Sequence, residues 1–220
     1  MVRYLSLKLW ELLEDRSFRK VFSDKKFQMI ERSINRQYLW KNPYRISKEF
    51  CQAIGENDVH QYGETPLTTM NKIARALNVK KGDHIYEYGS GRGRTCFFLK
   101  HFFDADVTGV ERNPVFVQRS TAMAKKFGLD VTFIEQDFLQ VNPTGATAIY
   151  LYGTCLEDKL IYQLCDKFPS GVKIVTVSYP LSEYDRKFWI RQKLRVRFPW
   201  GETEAYINEC RGASIRLRGF

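Results

Sequence analysis

The sequence predicts an α/β fold, a mostly parallel sheet layered between helices and closed by a C-terminal antiparallel hairpin. Three observations carry that expectation. Short apolar or β-branched runs at 84–88, 107–110, 131–134, 147–152 and 172–177 alternate with helical patterns at 94–103, 114–127 and 157–168, the signature of βαβ units. The first run ends in Gly89-Ser90-Gly91-Arg92-Gly93, where a strand should turn into its helix. The tail differs: 193–198 and 204–210 flank Pro199-Trp200-Gly201-Glu202, which reads as a hairpin.

Residues 4–36 are expected to be helical, with apolar side chains recurring at Leu5, Leu9, Leu12 and Leu13 and again at Phe18, Val21, Phe22, Phe27 and Ile30, and a break at Ser23-Asp24. A loop runs through Asn42-Pro43, a short helix covers Ser47–Ile54, and Gly55-Glu56-Asn57-Asp58 interrupts the pattern. Thr65-Pro66 opens a further helix through Leu77, since proline in the first turn loses no hydrogen bond, and Gly82-Asp83 ends the approach to the sheet. Two units follow from this: an N-terminal helical extension over 1–60 and an α/β domain over 61–220.

With 220 residues, 44% of them hydrophobic and 15% aromatic, the chain can bury a full-sized core, which excludes disorder. No run reaches the ~20 apolar residues of a membrane span, and Glu11, Glu14 and Asp15 follow the start too soon for a signal peptide. A cytoplasmic protein is expected, or one exported to a host by a signal-less route. The cysteines Cys51, Cys96, Cys155, Cys165 and Cys210 are odd in number and widely spaced, which points to reduced thiols rather than a disulfide framework. His60, His84 and His101 show no ligand spacing, so no metal is expected. The net charge of +10 sits toward the two ends: residues 1–60 carry 12 basic and 8 acidic side chains, 61–180 carry 14 and 12, and 181–220 carry 9 and 5.

The chemical signal is concentrated at three strand ends. In Glu87-Tyr88-Gly89-Ser90-Gly91-Arg92-Gly93-Arg94 an acid stands two residues before a G-x-G-x-G run. A loop without Cβ atoms admits a ligand to the backbone, and the following helix presents free N–H groups. A dinucleotide site would place its third glycine where Arg94 stands, so the pattern is that of S-adenosyl-L-methionine (SAM) sites, with the Glu87 carboxylate in the polar network around the methionine ammonium. Glu111 closes the second run; its two oxygens match the vicinal hydroxyls of a ribose. Asp137-Phe138 follows the third, where an aspartate can accept from an adenine amino group while the aromatic packs on the ring. The rival readings are a tight turn at the glycines and a helix-capping acid at Glu111.

With Tyr62-Gly63-Glu64-Thr65-Pro66 one helix upstream of the glycine turn, the chain resembles the non-SET histone-lysine methyltransferases of the disruptor-of-telomeric-silencing family. The similarity continues through Gly109-Val110-Glu111, Asp137-Phe138-Leu139 and the segment 162–175, and spans residues 61–180. Glu111-Arg112-Asn113-Pro114 is also similar, more distantly, to small lysine methyltransferases that act on mitochondrial ATP-synthase subunits. The resemblance implies a Rossmann-like class I methyltransferase fold. It also implies that Tyr62, Glu64 and Thr65 help hold SAM, that Glu87, Gly89, Ser90 and Gly91 take its methionine end, and that Glu111 takes the ribose and Asp137 with Phe138 the adenine. The family's asparagine-rich, aromatic substrate segment after the fourth strand is replaced here by Tyr150-Leu151-Tyr152-Gly153-Thr154-Cys155, and the first motif's aspartate is Glu87.

Methyl transfer is an in-line displacement that needs alignment more than a strong base. Tyr152, Thr154 and Tyr179, at ends of runs that should face the cofactor, are therefore the expected substrate-side residues. The expected partner is a protein with a target lysine, in an acidic setting. A nucleic acid is the alternative, because Lys193, Arg195 and Arg197 alternate with Leu194, Val196 and Phe198 and so share one strand face. A stripe of solvated cations guarding an edge strand reads equally well, and the [DN]-P-P-[FY] loop of base-amine methyltransferases is absent. A catalytically silent SAM-binding module is the third reading. The oligomeric state is left open.

Overall fold

The computed structural model describes residues 22–210. Three helices come first, α1 (Lys25–Arg36), α2 (Pro43–Ala53) and α3 (Leu67–Leu77). The chain then alternates β1 (His84–Tyr88), α4 (Arg94–Phe103), β2 (Asp106–Glu111), α5 (Pro114–Phe127), β3 (Val131–Glu135), β4 (Ala148–Leu151), α6 (Asp158–Lys167) and β5 (Lys173–Val177), and ends in β6 (Phe188–Phe198) and β7 (Gly201–Cys210). The sheet order is β3-β2-β1-β4-β5-β7-β6. The first five strands are parallel, while β7 lies antiparallel to β5 and β6 to β7. The helix expected over residues 4–21 lies outside the described residues.

Local chemistry sets the helix starts. The break expected at Ser23-Asp24 is a cap: the Asp24 carboxylate accepts from the Phe27 N–H at 2.6 Å. The second helix begins four residues earlier than expected, because Asn42 caps it by accepting from the Arg45 N–H at 2.8 Å and Pro43 fills its first position. Asn113-Pro114 opens α5 in the same way.

The two faces of the sheet are covered unequally. On one, α1, α3, α4 and α5 bury Ile30, Ile73, Phe98 and Phe116 with Ile85, Val107 and Val196. Helices were expected on both faces, but on the other α6 is the one α-helix among the described residues, packing Ile161 and Leu164 against Ile149 and Ile174. The links after β3 and β5 form only short 3₁₀ turns, Phe138–Gln140 and Leu181–Glu183. Asn142-Pro143-Thr144-Gly145 stops any helix in the first link. Helices α1 and α2 share the apolar cluster of the α/β unit through Phe27, Ile34 and Ile46.

Candidate functional site

A cavity of about 910 Å³ opens at the C-terminal ends of β1, β2 and β4, the edge where open α/β sheets take their ligands. Tyr88, Gly89 and Gly91 form its floor with Val110 and Glu111; Tyr62, Gly63 and Glu64 form one wall and Leu151 to Leu156 another. The glycine turn is pinned from below, where the Gly89 and Ser90 N–H groups both donate to the Val110 carbonyl, at 2.8 and 3.0 Å. Gly89 has φ +78° and no atom within 4 Å of where a Cβ would stand, so its backbone is open to a ligand. At Gly91, φ +52°, a Cβ would meet the Tyr62 ring at 3.2 Å.

Glu111 is the best-placed carboxylate. Its Oε2 accepts from the Gly91 N–H at 2.9 Å and its Oε1 from the Asn113 N–H at 2.8 Å. Each oxygen keeps a second lone pair for a hydroxyl donor. Burial pushes the carboxyl upward, against the pull of those two N–H groups. Phe138 lines the cavity and stacks on Tyr88 with ring centroids 5.6 Å apart and planes 6° from parallel. Asp137 does not line it: the carboxylate caps the turn by accepting from the Leu139 N–H at 2.8 Å and lies 4.0 Å from Arg112.

The Tyr62-Gly63-Glu64-Thr65 segment is locked to the glycine turn. Arg92 donates through Nε and Nη2 to the two oxygens of Glu64, at 2.5 and 2.7 Å, and through Nη1 to Asn35 of α1 at 3.1 Å. The Tyr62 hydroxyl donates to the same carboxylate. Burial alone would push Glu64 upward, but the Arg92 guanidinium overrides it and holds the carboxyl at about 2. Glu64 is thus an anion already paired, which shapes the wall rather than standing free for a ligand. Thr65 does not reach the cavity; it is buried, its hydroxyl 2.6 Å from that of Tyr150.

Glu87 and Ser90, expected at the methionine end, lie beneath the turn. The Glu87 carboxylate accepts from the Thr95 hydroxyl at 2.5 and 2.6 Å and from the Cys96 thiol at 3.0 Å. Ser90 is buried against Gly109. Burial, with Glu111 and Glu64 nearby, pushes Glu87 up to about 7 from an ordinary 4.5, although Thr95 and Cys96 oppose the shift. An acid with a raised folded-state value binds more protons folded than unfolded between the two values, so stability falls as pH rises from about 4.5 to about 7. Glu87→Gln is expected to flatten that dependence and to gain on the order of 2 kcal/mol over the wild type at pH 8. Urea titrations at pH 5 and pH 8 check it; an unchanged pH slope in the variant contradicts the assignment.

On the acceptor side, Tyr152 and Thr154 line the cavity. The Tyr152 hydroxyl accepts from the Trp200 indole N–H at 2.9 Å, and both rings stack on Phe198, at 4.8 and 5.4 Å. A Cβ on Gly63 would stand 2.9 Å from the Tyr152 ring, so this glycine lets the wall close on it. Tyr179 is not at the cavity. Ser178, with φ +74°, turns the chain after β5 and leaves Tyr179 half-buried behind Gly153 and packed on Tyr184. Sequence reasoning missed Tyr44, Phe50 and Cys51 of α2, His60 and Trp200, all of which line the cavity.

The basic stripe on β6 is real but not isolated. Lys193, Arg195 and Arg197 are exposed while Leu194, Val196 and Phe198 are buried. Directly across on β7, however, Glu204 faces Arg195 and Glu202 faces Arg197, and Lys193 lies 3.8 Å from Glu204. The expected positive surface is therefore a mixed-charge ladder, because hairpin register sets acids and bases side by side.

Residues 79–147 match the family model described as a methyltransferase domain. Methyltransferase phqN of Penicillium fellutanum is 27% identical over 94 residues, which are 40% of this chain and 29% of that protein. The chain thus spans under a third of the length of that curated relative. Among solved structures, an RNA methyltransferase from Salinibacter ruber in complex with S-adenosyl-L-homocysteine superposes with a TM-score of 0.57 at 20% identity, covering 71% of this chain and all of that one. MtNAS in complex with MTA and tNA gives 0.59 at 14% identity, covering 96% and 90%. The fold is the class I methyltransferase fold, and the match of residues 79–147 to a methyltransferase domain implies S-adenosyl-L-methionine as cofactor. The cradle fits that cofactor, with an open glycine backbone, a two-oxygen acceptor at Glu111 and a ring at Phe138.

Proposed function

We propose that the chain is a SAM-dependent methyltransferase that modifies a lysine on a protein, as its likeness to the disruptor-of-telomeric-silencing family implies. The observation that carries the reading is the placement of Tyr62-Gly63-Glu64-Thr65, the segment specific to that likeness. It packs Tyr62 on Gly91 of the glycine turn and Gly63 on Tyr152 of the acceptor wall, and so joins the two halves of the cavity.

In this reading Glu111 takes the ribose hydroxyls, Gly89 and Gly91 give the backbone access for the methionine end, and Phe138 packs on the adenine, with Asp137 holding the turn that carries it. When bound, the cofactor supplies a methyl group activated on a sulfonium. The protein aligns the attacking amine and excludes water. Tyr44, Tyr62, Tyr152 and Trp200 surround the acceptor side with aromatic faces, which suit an alkylammonium before it loses its proton and tolerate the sulfonium charge. Tyr152, held by Trp200, orients the amine, and Thr154 lies beside it. Tyr179 backs the Gly153 loop and acts through it.

The test offers radiolabelled SAM to histones, lysate proteins and RNA in parallel. Label on protein lysine is expected. Label confined to RNA moves the acceptor to nucleic acid, and cofactor binding with no label on any of them leaves a silent module; either overturns the lysine assignment.

A further inference from the structure

The turn between α1 and α2 projects two consecutive apolar side chains: Leu39 is 74% exposed and Trp40 is 99% exposed. Tyr38, immediately before them, is buried and anchors the turn between the guanidinium groups of Arg92 and Arg119, 5.1 and 4.7 Å from its ring. The tip is therefore held out by a fixed base. Five basic residues, Arg32, Arg36, Lys41, Arg45 and Lys48, fall within residues 32–48, all exposed, and that stretch contains no acid. Arg45 and Lys48, three apart, share one stripe of α2, and Lys41 stands just before its cap. Of the two acids that flank the stretch, Glu31 pairs with Arg94 and Glu49 with both Lys41 and Arg45, while Arg32, Arg36 and Lys48 form no ion pair among the described residues. Tyr44 and Phe50, on the helix that leaves the tip, line the cavity.

We propose that the Leu39-Trp40 tip docks on an anionic lipid surface, bringing the mouth of the cavity to the bilayer. The shape favours lipid over a folded partner. A protruding leucine and tryptophan need a preformed pocket on a protein, whereas the headgroup boundary of a bilayer yields to them, and tryptophan suits that boundary with an apolar ring and one N–H donor. The surrounding cations complement the negative charge of the leaflet. No helix among the described residues is long and apolar enough to cross a membrane, so the contact is peripheral. The proposal holds whichever acceptor the cavity takes.

The full chain is sedimented with vesicles of phosphatidylcholine alone and of phosphatidylcholine with phosphatidylserine, at low and high salt. The wild type is expected to bind the mixed vesicles in preference and to lose affinity with salt. The double variant Leu39→Ser/Trp40→Ser is expected to lose about tenfold in partition coefficient while keeping its affinity for S-adenosylhomocysteine, because neither residue lines the cavity. Binding that is absent from mixed vesicles, or unchanged in the double variant, overturns the proposal. So does equal loss of wild-type and variant protein to a polyanionic nucleic-acid competitor, which would assign the cations to that partner instead.

Discussion

Arg92→Ala is expected to destabilise the fold by about 2–4 kcal/mol and to weaken cofactor binding as well. The range is that for removing one partner of a buried ion pair, reduced because the Glu64 side chain keeps 23% of its surface exposed at the cavity. The loss spreads across three elements. Arg92 bridges the glycine turn to Glu64 on the cavity wall and to Asn35 on α1, and its guanidinium covers Tyr38. Without it Glu64 is left as a mostly buried anion, and the wall that carries Tyr62 loses its tie to Gly91. Arg92→Lys keeps the charge but not the two-pronged geometry, so it is expected to recover stability only in part. Thermal unfolding together with calorimetric titration of S-adenosylhomocysteine checks both effects; a variant with wild-type melting would mean that the pair is worth no more than a surface contact.

Glu111→Ala is the second large effect, chiefly on cofactor affinity. Loss of a carboxylate that can accept two ribose hydroxyls is expected to cost about 1–3 kcal/mol of cofactor binding, and it also strands the Gly91 and Asn113 N–H groups that now donate to it. Glu111→Gln retains one acceptor oxygen and is expected to fall between. An Ala variant that binds the cofactor as tightly as the wild type would return Glu111 to the helix-capping role that its bond to the Asn113 N–H also permits.

The strands and the glycine turn are legible in the sequence, because both depend on short-range order. The run of four buried residues in β2 ends at Glu111, and Gly89 and Gly91 have to stand where φ is positive. What escaped depends on packing between segments distant in the chain. Asn42-Pro43 reads as loop, although Pro43 is the first residue of α2, so Tyr44 falls outside the expected helix, while Phe50 and Cys51 lie within it and reach the cavity through the packing of α2. Tyr179 and Trp200 are both aromatic residues beside strand ends. The positive φ of Ser178 turns the first away, while the hairpin carries the second to the cavity rim. The stripe on β6 had the expected periodicity, but the acids opposite it follow from hairpin register, which the β6 sequence by itself does not contain. Thr65, Glu87 and Ser90, which the motifs put on the cofactor, lie instead in the layer beneath the cavity lining, holding the residues that face it.

The measurement that bears most directly on this account is a calorimetric titration of the wild-type chain with S-adenosylhomocysteine. Saturable binding with one site per chain is the expected result. No heat and no binding at millimolar ligand would contradict it, since the glycine turn, Glu111 and Phe138 would then line a cavity that does not take the cofactor.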